Sequence, residues 1–209
     1  MSKTIIWDFN GTIINDVDLA VDILNSLYKI HHIDKCVGKQ EYKEIFDFPV
    51  IDYYRNAGFD LNEQTFQCIS KEYIALYKEG FKQVKVSDDV IALLKKCQLK
   101  GYKNVIISAS QHDMLVEQIN SLELNEYFDE IVGIDDIYAT SKMDIAKRWA
   151  SKHTGPFIFI GDTAHDYEVA KEIGATCYLL SDGHFSQDRL LKLTDKVYPS
   201  IREVEKCLE

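Results

Sequence analysis

Residues 156–166 read PFIFIGDTAHD, an unbroken apolar run of strand length that stops at Gly161 and is followed at once by Asp162, Thr163, His165 and Asp166. A run without alternation suits a strand covered on both faces, as in a parallel sheet packed between helices. Residues 4–9 (TIIWDF), 104–108 (NVIIS), 130–134 (EIVGI) and 176–180 (TCYLL) read the same way. Helical patterns lie between them. Val90, Ile91, Leu93, Leu94 and Cys97 recur with a 3.6-residue period, with Ser87 as N-cap, Asp88 and Asp89 in the first turn and Gly101 past the end. Met143, Ala146, Trp149 and Ala150 form a similar face. Strand and helix in alternation predict an α/β fold: a doubly wound parallel sheet with right-handed crossovers.

The strand at 4–9 belongs to this pattern, yet the next strand-like run starts only at Asn104. Residues 16–86 look helical instead. Val17, Ala20, Val21, Leu24, Leu27 and Tyr28 recur at helical spacing, as do Phe66, Ile69, Tyr73, Leu76 and Tyr77. Pro49 and Gly58 divide the middle into shorter helices, Asn62 is a cap for the last, and His31-His32 ends the first. The aromatics Tyr53, Tyr54, Phe59 and Tyr73 read as helix core. The expected organisation is an α/β domain over residues 1–15 and 87–209, interrupted by an α-helical domain over 16–86.

The 209 residues carry 24 Lys+Arg against 34 Asp+Glu, a formal charge of −10, and 46% are hydrophobic. That is ample material for a core. Excess carboxylate repels nucleic-acid backbones and anionic lipid surfaces, so neither nucleic acid nor membrane is an expected partner. The start, MSKTIIWDFN, lacks the apolar stretch of a signal peptide. Five widely spaced cysteines without a C-x-x-C fit neither a disulfide framework nor a zinc site. They read as reduced, mostly packing thiols in a cytoplasmic protein.

In an open α/β sheet the ligand crevice lies beyond the carboxyl ends of the strands. Three runs deliver polar residues there: Asp8-Phe9-Asn10-Gly11-Thr12, Ser108-Ala109-Ser110, and Gly161 through Asp166. Asp8 and Asp162 meet if their strands are neighbours, and convergent carboxylates make a site for a hard divalent cation such as Mg²⁺.

These residues resemble the haloacid dehalogenase-like hydrolases, most of which are Mg²⁺-dependent phosphatases. The likeness runs over nearly the whole chain: D-x-x-G-T at 8–12, a serine closing an apolar strand at Ser108, a lone lysine at Lys142, and G-D-T-x-x-D at 161–166. The helical insert resembles the cap of the phosphoglycolate-phosphatase-like branch, including F-x-x-P-V-x-x-Y-Y-x-x-x-G at 46–58. The resemblance implies hydrolysis of a small phosphorylated metabolite, with Asp8 as nucleophile forming an aspartyl-phosphate. It further implies Mg²⁺ held by Asp8, the backbone carbonyl of Asn10, Asp162 and Asp166. Ser108 and the N–H of Ala109 would bind the phosphoryl group, and Lys142 would add positive charge. Gly11 would let backbone approach the phosphate, and Thr12 and Asn15 would fix the loop leading into the cap.

One residue departs from the family pattern. Most of its phosphatases carry a second aspartate two positions after the nucleophile, as acid and base for the leaving oxygen and the attacking water. Here that position is Asn10, and an amide has no proton that titrates near neutrality. His165 is the candidate substitute. Without one, the alternative is a phosphate-ligand-binding or regulatory protein with little turnover. A metal-free dehalogenase would not need Asp162 and Asp166, and a phosphonatase would need a cap lysine that the sequence does not single out.

Overall fold

The computed structural model describes residues 3–134 and 141–208; the ends of the expected α/β segments at 1–2 and 209, and residues 135–140 within it, lie outside the described residues. Strand β1 (Thr4–Trp7) leads into helices α1 (Val17–Ile30), α2 (Lys39–Ile45), α3 (Val50–Ala57) and α4 (Glu63–Gly80). Then follow α5 (Asp88–Leu99), β2 (Lys103–Gln111), α6 (His112–Ser121), β3 (Glu130–Ile134), α7 (Lys142–Ala150), β4 (Phe157–Gly161), α8 (Ala164–Glu172), β5 (Thr176–Leu180), α9 (Gln187–Leu191), β6 (Val197–Tyr198) and α10 (Ile201–Cys207). The six strands are all parallel in the order β3-β2-β1-β4-β5-β6. The expected doubly wound sheet is present. The chain reverses its winding at β1, which pairs with β2 on one side and β4 on the other, so the crevice between the ends of β1 and β4 is the switch point where such sheets bind ligands.

Successive strand residues point to opposite faces. Ile5, Trp7, Ile106 and Ile160 pack toward α5, α6 and α10, in a core continuous with that of α1–α4. Ile6, Val105, Ile107 and Phe159 pack toward α7, α8 and α9. A polar pin crosses the first layer. Asn104, fully buried, accepts from the Trp7 indole at 3.1 Å and donates to the carbonyl oxygens of Tyr127 at 3.1 Å and Leu94 at 3.4 Å.

Local signals placed most boundaries. Ser87 caps α5 by accepting from the Val90 amide, Asn62 forms a capping box with Thr65 on α4, and Gly58 ends α3 in a left-handed conformation at φ +97°. His31 caps the C-terminus of α1 and pairs with Glu72 of α4 at 2.6 Å. Two expectations change. β6 was not anticipated, because an edge strand of two half-buried residues has no pattern to read. Of the cysteines, Cys97 and Cys177 are core, but Cys36, Cys68 and Cys207 are exposed, so thiol packing accounts for fewer of them than expected. No helix among the described residues is long and apolar enough to cross a membrane.

Helices α1–α4 are fastened over the strand ends by polar contacts. Lys43 of α2 donates to the carbonyls of Ser181 and Asp182 beyond β5, at 3.0 and 3.2 Å. Arg189 of α9 donates to the carbonyls of Lys43 and Phe46. Asn104→Ala strands an indole N–H and the Tyr127 carbonyl beside the sheet core, so urea unfolding should show a loss of about 2–3 kcal/mol; a change below about 0.5 kcal/mol would mean that the pin contributes nothing.

Candidate active site

Asp8 directly follows β1, and its amide extends the ladder by donating to the Ile160 carbonyl of β4 at 2.8 Å. That pairing aligns the ends of the two strands. Asp162 and Asp166 follow β4, and the three carboxylates are buried with ligand oxygens within 4.8 Å of one another. Thus the residues that sequence reading placed on one edge do converge. Lys142, the least distinctive of the four motifs in the chain, is also there: at the start of α7 and 3% exposed, its ammonium bridges Asp8 and Oδ1 of Asp166, the latter at 2.5 Å.

Asp166 has a second duty. It is the third residue of α8, and its Oδ2 accepts from the amides of Asp162 and Thr163 and from the Thr163 hydroxyl, closing a capping box. The helix start and the carboxylate cluster therefore share one side chain. Thr12 donates to Asp162 Oδ1 at 3.4 Å, and the His184 amide donates to Oδ2 at 2.6 Å. Gly11 has φ +72°, and a Cβ there would collide with the Asp162 carboxylate and the His184 ring, so only glycine lets this loop lie against the cluster. Ser108 is buried at the far side. Its hydroxyl accepts from the Ser110 amide at 3.1 Å, while Ala109 lines the same cavity from an exposed position. Asn15 lies on the surface, donating to Asp182 Oδ2 at 2.9 Å.

Asn10 belongs to a network that sequence reading did not foresee. Its amide nitrogen donates to Asp16 Oδ2 at 2.9 Å and to the Tyr77 hydroxyl at 2.7 Å, and its amide oxygen accepts from the Ser110 hydroxyl at 3.3 Å. Asp16 Oδ2 also accepts from Tyr77 at 2.7 Å, while Oδ1 takes the Gly11 amide at 2.9 Å and His184 Nε2 at 3.1 Å. The other nitrogen of His184 meets the Tyr42 hydroxyl of α2 at 2.8 Å. Asp16 is the first residue of the stretch expected to be helical, where an acidic residue reads as nothing more than an ordinary helix start. His184 was findable: it lies four residues past β5, and the strand-end rule applied to β1, β2 and β4 covers it equally.

His165 is half-buried, its ring 5.3 Å from that of Phe48 and its nearest carboxylate, Glu168, 3.9 Å away. Burial holds it below the usual histidine range. Tyr53, Tyr54 and Tyr73, expected as core, do pack in the core and also line a cavity of about 530 Å³ that opens from the carboxylates toward α3 and α4; Phe59 is core alone.

The electrostatics carry a deficit. Burial pushes Asp8 up to about 7 in spite of Lys142, and burial with repulsion from Asp166 and Asp8 raises Asp162 as well. Burial works against charge on Asp166 and Asp16 too, but Lys142 holds the first below the carboxylate range and His184 the second. Burial disfavours charge on His184, yet Asp16 outweighs it and lifts the imidazole to about 9, so it is a cation at neutral pH. When all are ionised, Asp8, Asp16, Asp162 and Asp166 exceed Lys142 and His184 by two charges, the charge of one divalent cation. The donors are all oxygen, the chemistry that a hard ion such as Mg²⁺ prefers.

This sheet with this edge defines a class. The family model of haloacid dehalogenase-like hydrolases matches residues 5–180, and the chain belongs to that family. It is similar to the pyrophosphatase PpaX of Halalkalibacterium halodurans, at 22% identity over 176 residues, covering 82% of this chain and 80% of that one. Among solved structures it resembles the haloacid dehalogenase-like protein SP0104 of Streptococcus pneumoniae, with a TM-score of 0.84, 20% identity, and 100% and 99% of the two chains covered. A predicted phosphoglycolate phosphatase from Haemophilus somnus matches with a TM-score of 0.78 and 15% identity, covering 100% of this chain and 98% of that one. At these identities the structures establish a common fold.

Asn10→Asp sets a second carboxylate against Asp16 Oδ2 and should cost about 1–3 kcal/mol of stability. In a thermodynamic cycle with Asp16→Asn the two changes should couple by about 1–2 kcal/mol. Strict additivity in urea denaturation would contradict the contact.

Proposed function

We propose that this protein is a Mg²⁺-dependent phosphatase that hydrolyses a small phosphomonoester through an aspartyl-phosphate on Asp8. The observation that carries this reading is the buried cluster of Asp8, Asp162 and Asp166 with Lys142 across it. Asp8, Asp162, Asp166 and the carbonyl of Asn10 would hold Mg²⁺. When bound, the ion would screen the anionic nucleophile from the anionic ester and orient the phosphoryl oxygens.

The rest falls to side chains of this chain. A carboxylate oxygen of Asp8 attacks phosphorus as the bond to the leaving oxygen breaks, and the leaving group takes its proton from water. A second water then attacks phosphorus, the bond to the Asp8 oxygen breaks, and inorganic phosphate leaves with the carboxylate restored. Lys142 offsets charge gathering on the phosphoryl oxygens, while the Ser108 hydroxyl and the Ala109 N–H orient them. Gly11 and Thr12 keep the loop against the cluster. Residues 16–86 act as a cap over a core of residues 1–15 and 87–209, excluding water and selecting the leaving group.

Asn10 favours a second reading. Its amide has no titratable proton and both its N–H groups are engaged by Asp16 and Tyr77, so the usual acid is missing, a loss typically of about 10²- to 10⁴-fold in rate. His165, which lines the same cavity, is the candidate to take over that acid and base duty. A protein of this kind could bind a phosphate ligand with little turnover.

Hydrolysis of 4-nitrophenyl phosphate separates the readings. Activity should vanish with chelator, return with Mg²⁺, and fall by about 10³-fold or more in Asp8→Asn. Mg²⁺-dependent binding of inorganic phosphate without turnover above buffer would favour the binding protein. If His165 acts on the leaving group, His165→Ala should slow an alkyl phosphate far more than the aryl one; equal losses would reject that role.

A further inference from the structure

The cavity that opens from the carboxylate cluster is built for something other than a second acidic group. Its outer wall is aromatic: Phe46 and Phe48 from the turn between α2 and α3, Tyr53 and Tyr54 from α3, and Tyr73 and Tyr77 from α4. Burial raises Tyr54 and Tyr73, so these phenols stay uncharged. The mouth is apolar too. Val50 and Ile74 line it while remaining 40% and 47% exposed, although large apolar side chains are normally withdrawn from water.

Positive charge is scarce by comparison. Among the described residues lining the cavity, the lysines are Lys142, held between Asp8 and Asp166, and Lys78, which is exposed; no arginine lines it. The buried imidazole of His184 also lines the cavity but is committed to Asp16 at 3.1 Å, so a leaving group bearing its own carboxylate or phosphate would meet no uncommitted buried cation among the described lining residues, and desolvating such a charge is unfavourable. Two hydroxyls in the same lining have no partner among the described residues. The Tyr53 and Ser70 oxygens are buried without a hydrogen bond, and Tyr53 is 2% exposed. Buried hydroxyls are normally satisfied, so exceptions call for an explanation. A bound group carrying a polar substituent on a flat apolar body would supply one.

The chemistry at the other end agrees. With both Asn10 N–H groups committed to Asp16 and Tyr77, a leaving oxygen gains most by departing unprotonated. A phenol, with a pKa of about 10, does so far more readily than an alkanol, which is as weak an acid as water.

We propose that the substrates are aryl phosphate monoesters, with the ring of the leaving group seated among Phe48, Tyr54 and Tyr73 and a polar substituent reaching Tyr53 and Ser70. The inference rests on the phosphatase reading above and names its substrate class. Intrinsic reactivity favours aryl esters on any phosphatase, so the decisive comparison is binding of inert analogues rather than rate.

Titration calorimetry of the full chain with Mg²⁺ should rank phenylphosphonate at least 10-fold tighter than phosphonoacetate, imidodiphosphate and methylphosphonate. Tyr73→Leu should shrink that preference 5-fold or more; if this variant does not fold, the ranking on the parent protein decides alone. Phosphonoacetate or imidodiphosphate binding as tightly as phenylphosphonate, or no phosphonate binding at all, would overturn the proposal. Equal affinity for cyclohexylphosphonate would overturn its aromatic part. Failure of the underlying reading has a different signature, the absence of Mg²⁺-dependent hydrolysis of 4-nitrophenyl phosphate.

Discussion

A buried ammonium holds this site together. Lys142, at the start of α7, lies between Asp8 at the end of β1 and Asp166 in the first turn of α8, so one buried side chain joins three elements, two of which, α7 and α8, also meet through the half-exposed pair of Lys147 and Glu172. Neither side tolerates loss of the other, since a desolvated charge without a partner is far more costly than an exposed one. Because Asp166 also caps α8, the start of that helix, the turn after β4 and the position of Lys142 are settled together. The contact is incomplete as a charge balance. The carboxylates around it outnumber their cations, and the oxygen donors left facing the cavity are where a divalent ion would rest.

A second network stands behind the first and explains how an amide came to be accommodated at position 10. Asp16 takes hydrogen bonds from Asn10, Tyr77, Gly11 and His184. A carboxylate with four donors is held in its ionised form and is a poor carrier of protons. It fixes the Asn10 amide, orients the imidazole whose backbone braces Asp162, and links α1 and α4 to the loop beyond β5. Negative charge beside the loop after β1 thus serves geometry, holding Asn10, Gly11 and His184 in place.

How much of this was legible in the sequence depended on whether the signal was local. Apolar runs that end in Asp8, Ser108 and Asp162 announced the parallel sheet and its working edge, because periodicity and strand-end position are carried by neighbouring residues. Caps at Ser87 and Asn62 were equally local. The Asp16 network was not, since Tyr77 and His184 are distant in sequence and only the folding of α4 and the loop past β5 over the sheet edge brings them to it. Aromatic side chains raised a different difficulty. Tyr53, Tyr54 and Tyr73 have one face in the core and another on the cavity, and helical spacing reports the first while saying nothing of the second.

In the proposed reaction Asp8 would carry the phosphoryl group between substrate and water. Acid quenching during turnover of a phosphorus-labelled aryl phosphate, followed by peptide mapping, tests it directly. The expected result is a hydroxylamine-labile label on the peptide containing Asp8, formed only with Mg²⁺ present. A label on Ser108 or His165, or turnover without any labelled peptide, would contradict it.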